Sequence, residues 1–179
     1  MAQNRLSWKE ASVFTLFGVG PSWMAVNALY QQVPYFELSQ PEGYCIAAYI
    51  TFAISAGAIF PFLVLLYNKL NDGKTLPHSI TVPFILGMSL CVLLLISILW
   101  HVEISGHSIM LFLCACLAGG QGGLFSVLVM PFLSNYDADC ITSARTGSSL
   151  GSIACGLLAL AQQPGADNSA FTPTVYFLI

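Results

Sequence analysis

Charge is what this chain of 179 residues has least of: Lys, Arg, Asp and Glu together make up 7% of it. A soluble domain carries roughly 25%, so this chain cannot solvate a globular surface in water. Hydrophobic residues make up 56% and mean hydropathy is +0.78, which makes lipid the matching solvent. The net charge of -3 comes without any basic block, which speaks against a nucleic-acid partner. The six cysteines form no framework. Cys114-x-Cys116 lacks the spacing and extra ligands of a zinc site, and its two side chains point to different faces of a helix, so packing is its ordinary reading. No Asn-x-Ser/Thr acceptor is present. The apolar runs hold no His cluster, acidic pair or nucleophile–base spacing, so neither an enzyme nor a cofactor is expected.

What the chain does have is apolar runs of membrane length. A helix needs about 20 apolar residues to cross a bilayer. Five windows qualify, at residues 11–36, 44–68, 79–100, 107–133 and 141–162, and a sixth run at 171–179 stops short. The expectation is an all-α, polytopic transmembrane bundle: one domain over 1–179, five spans and an incomplete sixth, which reads as a fragment or a truncated gene model. The first window is too long for a signal peptide and lacks a cleavage site. Basic residues prefer the cytoplasmic side. Arg5 and Lys9 precede span one, Lys69 and Lys74 separate spans two and three, and Arg145 begins span five, while the other connections have none. All five agree on a cytoplasmic amino terminus.

Polar residues inside these runs need an explanation, because a buried amide must find a partner. VNALYQQVPYF at 26–36 contains Asn27, Gln31 and Gln32, with Asn27 and Gln31 one helical turn apart on one face. Trp23 and Tyr30 can share that face. In span four, AGGQGGLFS at 118–126 has neither the lysine nor the preceding strand of a phosphate loop. Gly119 and Gly123, like Gly147 and Gly151 in span five, instead form small-xxx-small pairs that let helices approach. Gln121 lies in a thin stretch that another molecule can approach; its ordinary reading is an interhelical hydrogen bond. Span five carries Ser148, Ser149 and Ser152 among other hydroxyls, suited to a cavity wall, although such groups also bond back to their own helix. Pro34, Pro61, Pro131 and Gly18-Val-Gly20-Pro21 interrupt spans, as helices around transporter sites often are. Pro83 reads as a first-turn proline. His101 and His107 bracket Glu103; solvation is their ordinary reading and proton sensing the functional one.

These residues fall into a pattern. SWMAVNALYQQVPYFELSQPEGY at 22–44 resembles the Trp-x-x-Val-Asn-Gly-Leu-Trp-Val-Glu-Leu-Pro stretch, followed by Pro-Glu-Gly-Trp, of the eukaryotic riboflavin transporter family. The shared residues are Trp23, Val26, Asn27, Leu29, Pro34 and Pro41-Glu42-Gly43. SVLVMPFLSNY at 126–136 and TGSSLGSIACGLLALAQ at 146–162 resemble two later blocks of the same family, the second through Gly147, Leu150, Ala159, Leu160 and Gln162. Three departures stand out: Gln32 and Ser148 replace glutamates, and Cys155 replaces a proline.

The resemblance implies a multi-pass plasma-membrane carrier that takes up riboflavin, a neutral molecule with a flat ring system, a hydrogen-bonding edge and a chain of hydroxyls. Amides at Asn27, Gln31, Gln32 and Gln121 donate and accept at once, Trp23 and Tyr30 offer stacking surfaces, and Ser126, Ser148, Ser149 and Ser152 offer hydroxyls. The expected partners are this small molecule, membrane lipid, and either a missing carboxy-terminal half or a second copy. Alternatives are a carrier for another nucleoside-like or vitamin substrate and a non-transporting assembly subunit.

Overall fold

The computed structural model describes Val13, Thr15 and residues 23–70, 77–133, 135–136, 138–163 and 169–179. The Gly18–Pro21 break and most of the first window's start lie outside the described residues. Within them the chain is helical, with no strand beyond an isolated bridge between Ile104 and His107. The helices are α1 (Met24–Gln31), α2 (Val33–Ser39), α3 (Ile46–Ala56), α4 (Ile59–Leu70), α5 (His78–Leu99), α6 (Ile109–Leu124), α7 (Met130–Leu133), α8 (Ala138–Gln162) and α9 (Pro173–Leu178), with a π turn at Phe125–Val129 between α6 and α7.

Among the described residues, three helical stretches are long and apolar enough to cross a membrane: Gly43–Leu70, Ile80–Leu99 and Ile109–Leu133. They coincide with the second, third and fourth expected spans. The fifth window forms a single helix, α8, but its hydroxyl-rich first half keeps it less apolar than those three. The third stretch is the centre of the bundle, with 56% of its apolar window buried against 22% and 28% for the others.

Where the spans break follows from proline and glycine chemistry. Gln32 ends α1 and begins α2, with Pro34 in the first turn of α2. The second span breaks at Gly57–Ala58, and Pro61 falls in the first turn of α4. The fourth breaks at the π turn, and Pro131 opens α7. Pro34 and Pro61 sit in the first turn of a resuming helix, where the N–H has no intrahelical partner to lose, whereas Pro131 follows a continuous helical run and removes an N–H from the turn before it, where the π turn lies. Pro83 differs from its expected first-turn place: it is the sixth residue of α5, inside the helix. There it removes one backbone bond, close enough to the helix start for the rest of the ladder to continue.

Helices in lipid gain little from hydrophobic exclusion and are held by close packing, and the glycines of α6 supply it. A Cβ at Gly119 would overlap the Ile54 carbonyl oxygen, and one at Gly57 would overlap the Cys116 carbonyl oxygen. A Cβ at Gly120 would run into the Phe60 ring, and one at Gly123 would sit 2.8 Å from Pro61 Cγ. The glycine run thus seats α6 directly against the broken second span. Gly147 of α8 does the same for span one, where a Cβ would overlap the Thr15 carbonyl oxygen.

Two apolar clusters fill the interior. One gathers Leu29, Phe36, Ile50, Ile96, Leu111 and their neighbours; the other gathers Ile85, Leu124, Phe125, Val129, Leu133 and Ala144. The six cysteines form no disulfide with one another, and Cys114, Cys140 and Cys155 are buried, which agrees with the packing reading of Cys114-x-Cys116.

Candidate functional site

The loops at one end of the bundle are tied by a polar clasp. Gly43 has φ +54° and Gly106 φ +75°, left-handed values that glycine adopts without penalty. The turn at Gly43 brings the Pro41-Glu42-Gly43 segment to the start of α6. There the Ser108 backbone N–H donates to Glu42 Oε1 at 2.8 Å, placing a carboxylate on the positive end of the helix. The Ser108 hydroxyl lies between Glu42 Oε2 at 2.7 Å and Gln40 Oε1 at 2.5 Å, with one proton to donate. Gln40 Nε2 donates to the Trp100 carbonyl at 3.1 Å, and Trp100 Nε1 donates to Thr174 Oγ1 at 2.8 Å. Burial pushes the Glu42 carboxyl up, but hydrogen bonds from the Ser108 side chain and backbone outweigh it and hold the group below its ordinary 4.5. His107 faces this carboxylate at 3.7 Å, so its acidic neighbour is Glu42 rather than the expected Glu103.

Below the clasp, α1 packs between α6 and α8. Its outward stripe carries Trp23, Asn27, Tyr30 and Gln31, spaced at i, i+4, i+7 and i+8. Trp23 and Tyr30 are 40% and 42% exposed, Gln31 is exposed and Asn27 partly so. Asn27 Nδ2 donates to Ser152 Oγ of α8 at 2.7 Å. The Trp23 indole lies against the glycine run of α6, where a Cβ at Gly122 would come within 3.1 Å of Cδ2. Tyr30 Oη reaches toward Thr51 Oγ1 of α3 at 3.5 Å.

The hydroxyls of α8 bond back to their own helix. Ser149 donates to the Arg145 carbonyl at 3.3 Å and Ser152 to the Ser148 carbonyl at 3.2 Å; Ser126 likewise donates to the Gly122 carbonyl at 3.2 Å. Their protons are committed, so the lone pairs they show outward accept hydrogen bonds. Ser126 and Ser149 are exposed, Ser148 and Ser152 partly so. The face therefore combines acceptor hydroxyls, the amides of Asn27 and Gln31, and two aromatic rings.

Two of the candidate residues are not on this face. Gln121 is 1% exposed: the flanking glycines, expected to leave it approachable, draw α3, α4 and Trp23 in around it. Gln32 is 0% exposed and bonded to Gln162 Oε1 at 2.6 Å. Conversely, α3 carries two exposed hydroxyls outside the expected set, Thr51 beside Tyr30 and Ser55 one turn further on. Their i, i+4 spacing in an otherwise apolar run was the available signal. A separate cavity of about 340 Å³, lined by Met24, Ala28, Leu93, Cys155, Leu158 and Tyr176 among others, contains none of the candidate residues. No group of His, Cys, Asp and Glu suited to a metal occurs among the described residues.

Helices long and apolar enough to cross a membrane, packed beside a face of amides, hydroxyls and aromatic rings, define the class as an integral membrane protein. Sequence similarity gives this class its family. The model of solute carrier family 52, riboflavin transporter, matches residues 7–175, and the chain belongs to that family. It is a solute-carrier family and not an enzyme family. The chain is 30% identical over 153 residues to bovine riboflavin transporter member 3, covering 83% of this chain and 32% of that protein. Human member 2 is 30% identical over 154 residues, covering 84% and 34%. Human member 1 is 27% identical over 163 residues, covering 89% and 36%. The chain thus spans about a third of the length of these relatives. No solved structure matches it.

Proposed function

We propose that this chain is part of a multi-pass plasma-membrane transporter that takes up riboflavin by alternating access, with its amino terminus in the cytoplasm. Family membership over residues 7–175 supports the substrate. The observation that carries the site is the Asn27–Ser152 junction on the exposed polar stripe. Riboflavin has a planar ring system for Trp23 and Tyr30, ring-edge groups for the Asn27 and Gln31 amides, and hydroxyl donors for the lone pairs of Ser126, Ser148, Ser149 and Ser152. A bundle whose polar stripe is open on one side needs a cover within the bilayer. A carboxy-terminal half of the same protein, or a second copy, supplies it in this reading. Gln32 and Gln121 then act behind the surface and hold the helices that carry it.

The test is uptake of labelled riboflavin by riboflavin-auxotrophic cells expressing the complete gene, with surface protein measured in parallel. Uptake above the untransfected background supports the reading. Surface protein with no uptake contradicts it, and uptake of another vitamin or nucleoside instead would reassign the substrate.

A further inference from the structure

We propose that Gln32 and Gln162 form a one-way amide string that requires a neutral donor at position 32, so that the carboxy-terminal end of α1 is held to α8 independently of pH. The direction of the string is set at its far end. The Phe171 carbonyl can only accept, and Gln162 Nε2 donates to it at 2.8 Å. Gln162 Oε1 is thereby turned toward α1, where it receives Gln32 Nε2 at 2.6 Å. The Gln162 backbone carbonyl takes the Ala170 N–H at 3.0 Å, so the connection into α9 closes on the same residue. Both glutamines are 0% exposed, and Gln32 Oε1 is buried with no hydrogen-bond partner among the described residues.

A carboxylate at position 32 fails this geometry. It would set a negative oxygen against Gln162 Oε1, and Gln162 could turn to meet it only by withdrawing its amide from the Phe171 carbonyl. The two described donors beside it, Gln162 Nε2 and the Tyr176 hydroxyl, are already given to the Phe171 and Cys155 carbonyls, so the charge would be buried at the expense of one of those bonds. Along α8 the nearest cation is Arg145, roughly 25 Å away at the rise of a helix. The titratable side chains at the string are Tyr176 on α9, which meets the Gln32 amide and donates to the Cys155 carbonyl at 2.9 Å, and Cys155 on α8. Both are present in wild type and in each variant tested below, so they do not distinguish the variants. The next carboxylate along the chain is Glu37 on α2, partly exposed. A protonated acid would fit as well as an amide, because its O–H donates where Nε2 now does.

The bearing on transport rests on the function proposed above, but the test does not. The full chain is purified in detergent at about pH 5 as wild type, Gln32→Glu and Gln32→Met, and each variant's melting temperature is compared with wild type from about pH 5 to pH 8. Gln32→Met is expected to trail wild type by about 2–10 °C at every pH, since a buried acceptor loses its donor. Gln32→Glu is expected to match wild type near pH 5 and to fall behind as pH rises. The folded state holds this proton above the unfolded carboxyl's range, so stability declines with rising pH. An infrared carboxyl band in Gln32→Glu, absent from wild type and lost over the same pH range, would report the proton itself. A constant offset of Gln32→Glu across pH, failure of that variant to fold even at pH 5, or a Gln32→Met protein as stable as wild type would each overturn the proposal. Loss of uptake in cells by wild type with the melting pattern intact would overturn only the transport reading.

Discussion

The stripe that α1 and α8 leave open and the faces that α4 and α5 leave open are both accessible, yet they are made of different chemistry. The first shows Trp23, Asn27, Tyr30, Gln31 and Ser149; the second shows Phe62, Leu63, Leu66, Phe84, Leu90 and Ile98, from 41% to 65% exposed. In water the second set would be an aggregation surface, whereas in a bilayer it is ordinary. For the first set the bilayer is the wrong solvent, because unpaired amides are costly in hydrocarbon. Two open faces with opposite needs therefore mark a wall, with lipid on one side and something polar on the other.

The variant expected to disturb this wall most is Gly119→Val. Its side chain would occupy the place of the Ile54 carbonyl, and separating α3 from α6 is expected to cost more than about 4 kcal/mol. Size-exclusion chromatography should then show little monodisperse protein. Next comes Asn27→Leu, which makes the polar stripe resemble the lipid face and removes the donor to Ser152. Uptake should fall about tenfold, equivalent to roughly 1.4 kcal/mol of lost recognition, with surface protein largely retained; unchanged uptake would return Asn27 to a purely structural role.

Glu42→Gln acts at the clasp, outside both faces, and should destabilise by about 1.5–3 kcal/mol through loss of charged hydrogen bonds. Its pH behaviour follows from the lowered pKa. The stabilisation in the wild type is present above the unfolded value near 4.5 and is lost as pH falls through the still lower folded value. Melting curves taken from neutral to acid pH should therefore converge for wild type and Glu42→Gln below about pH 4.5. The smallest effect belongs to Ile98→Ala on the lipid face, within about 0.5 kcal/mol of wild type and with normal uptake. A large loss there would show that α5 meets protein instead of lipid.

Much of this architecture can be read from apolar windows, because a bilayer demands long apolar helices and little else produces them. The breaks are legible only to within a turn. Pro61 announces an interruption that falls at Gly57–Ala58, and Pro131 one that falls at 125–129. A proline takes an N–H away from the turn before it, so the disturbance lies on its amino-terminal side. Gln121 shows a different failure. A run of glycines reads as an opening, but in lipid it invites neighbours, and the result is burial. Asn27 and Ser152 stand 125 residues apart, and no local pattern announces that they meet. The back-bonding of Ser149 and Ser152 was legible as an alternative use of their hydroxyls, and it decides that the α8 surface accepts hydrogen bonds.

Whether the two faces differ as described is most directly measured by labelling single cysteines. With the exposed Cys45 and Cys91 replaced by Ser, Ser149→Cys and Ile98→Cys are introduced separately into the full protein and treated in membranes with a hydrophilic thiol reagent, with and without riboflavin. Ser149→Cys should react and be protected by riboflavin, while Ile98→Cys should stay near background in both conditions. Equal labelling at the two positions, or labelling at Ser149→Cys that riboflavin leaves unchanged, would contradict the assignment of the α1–α8 stripe to the substrate.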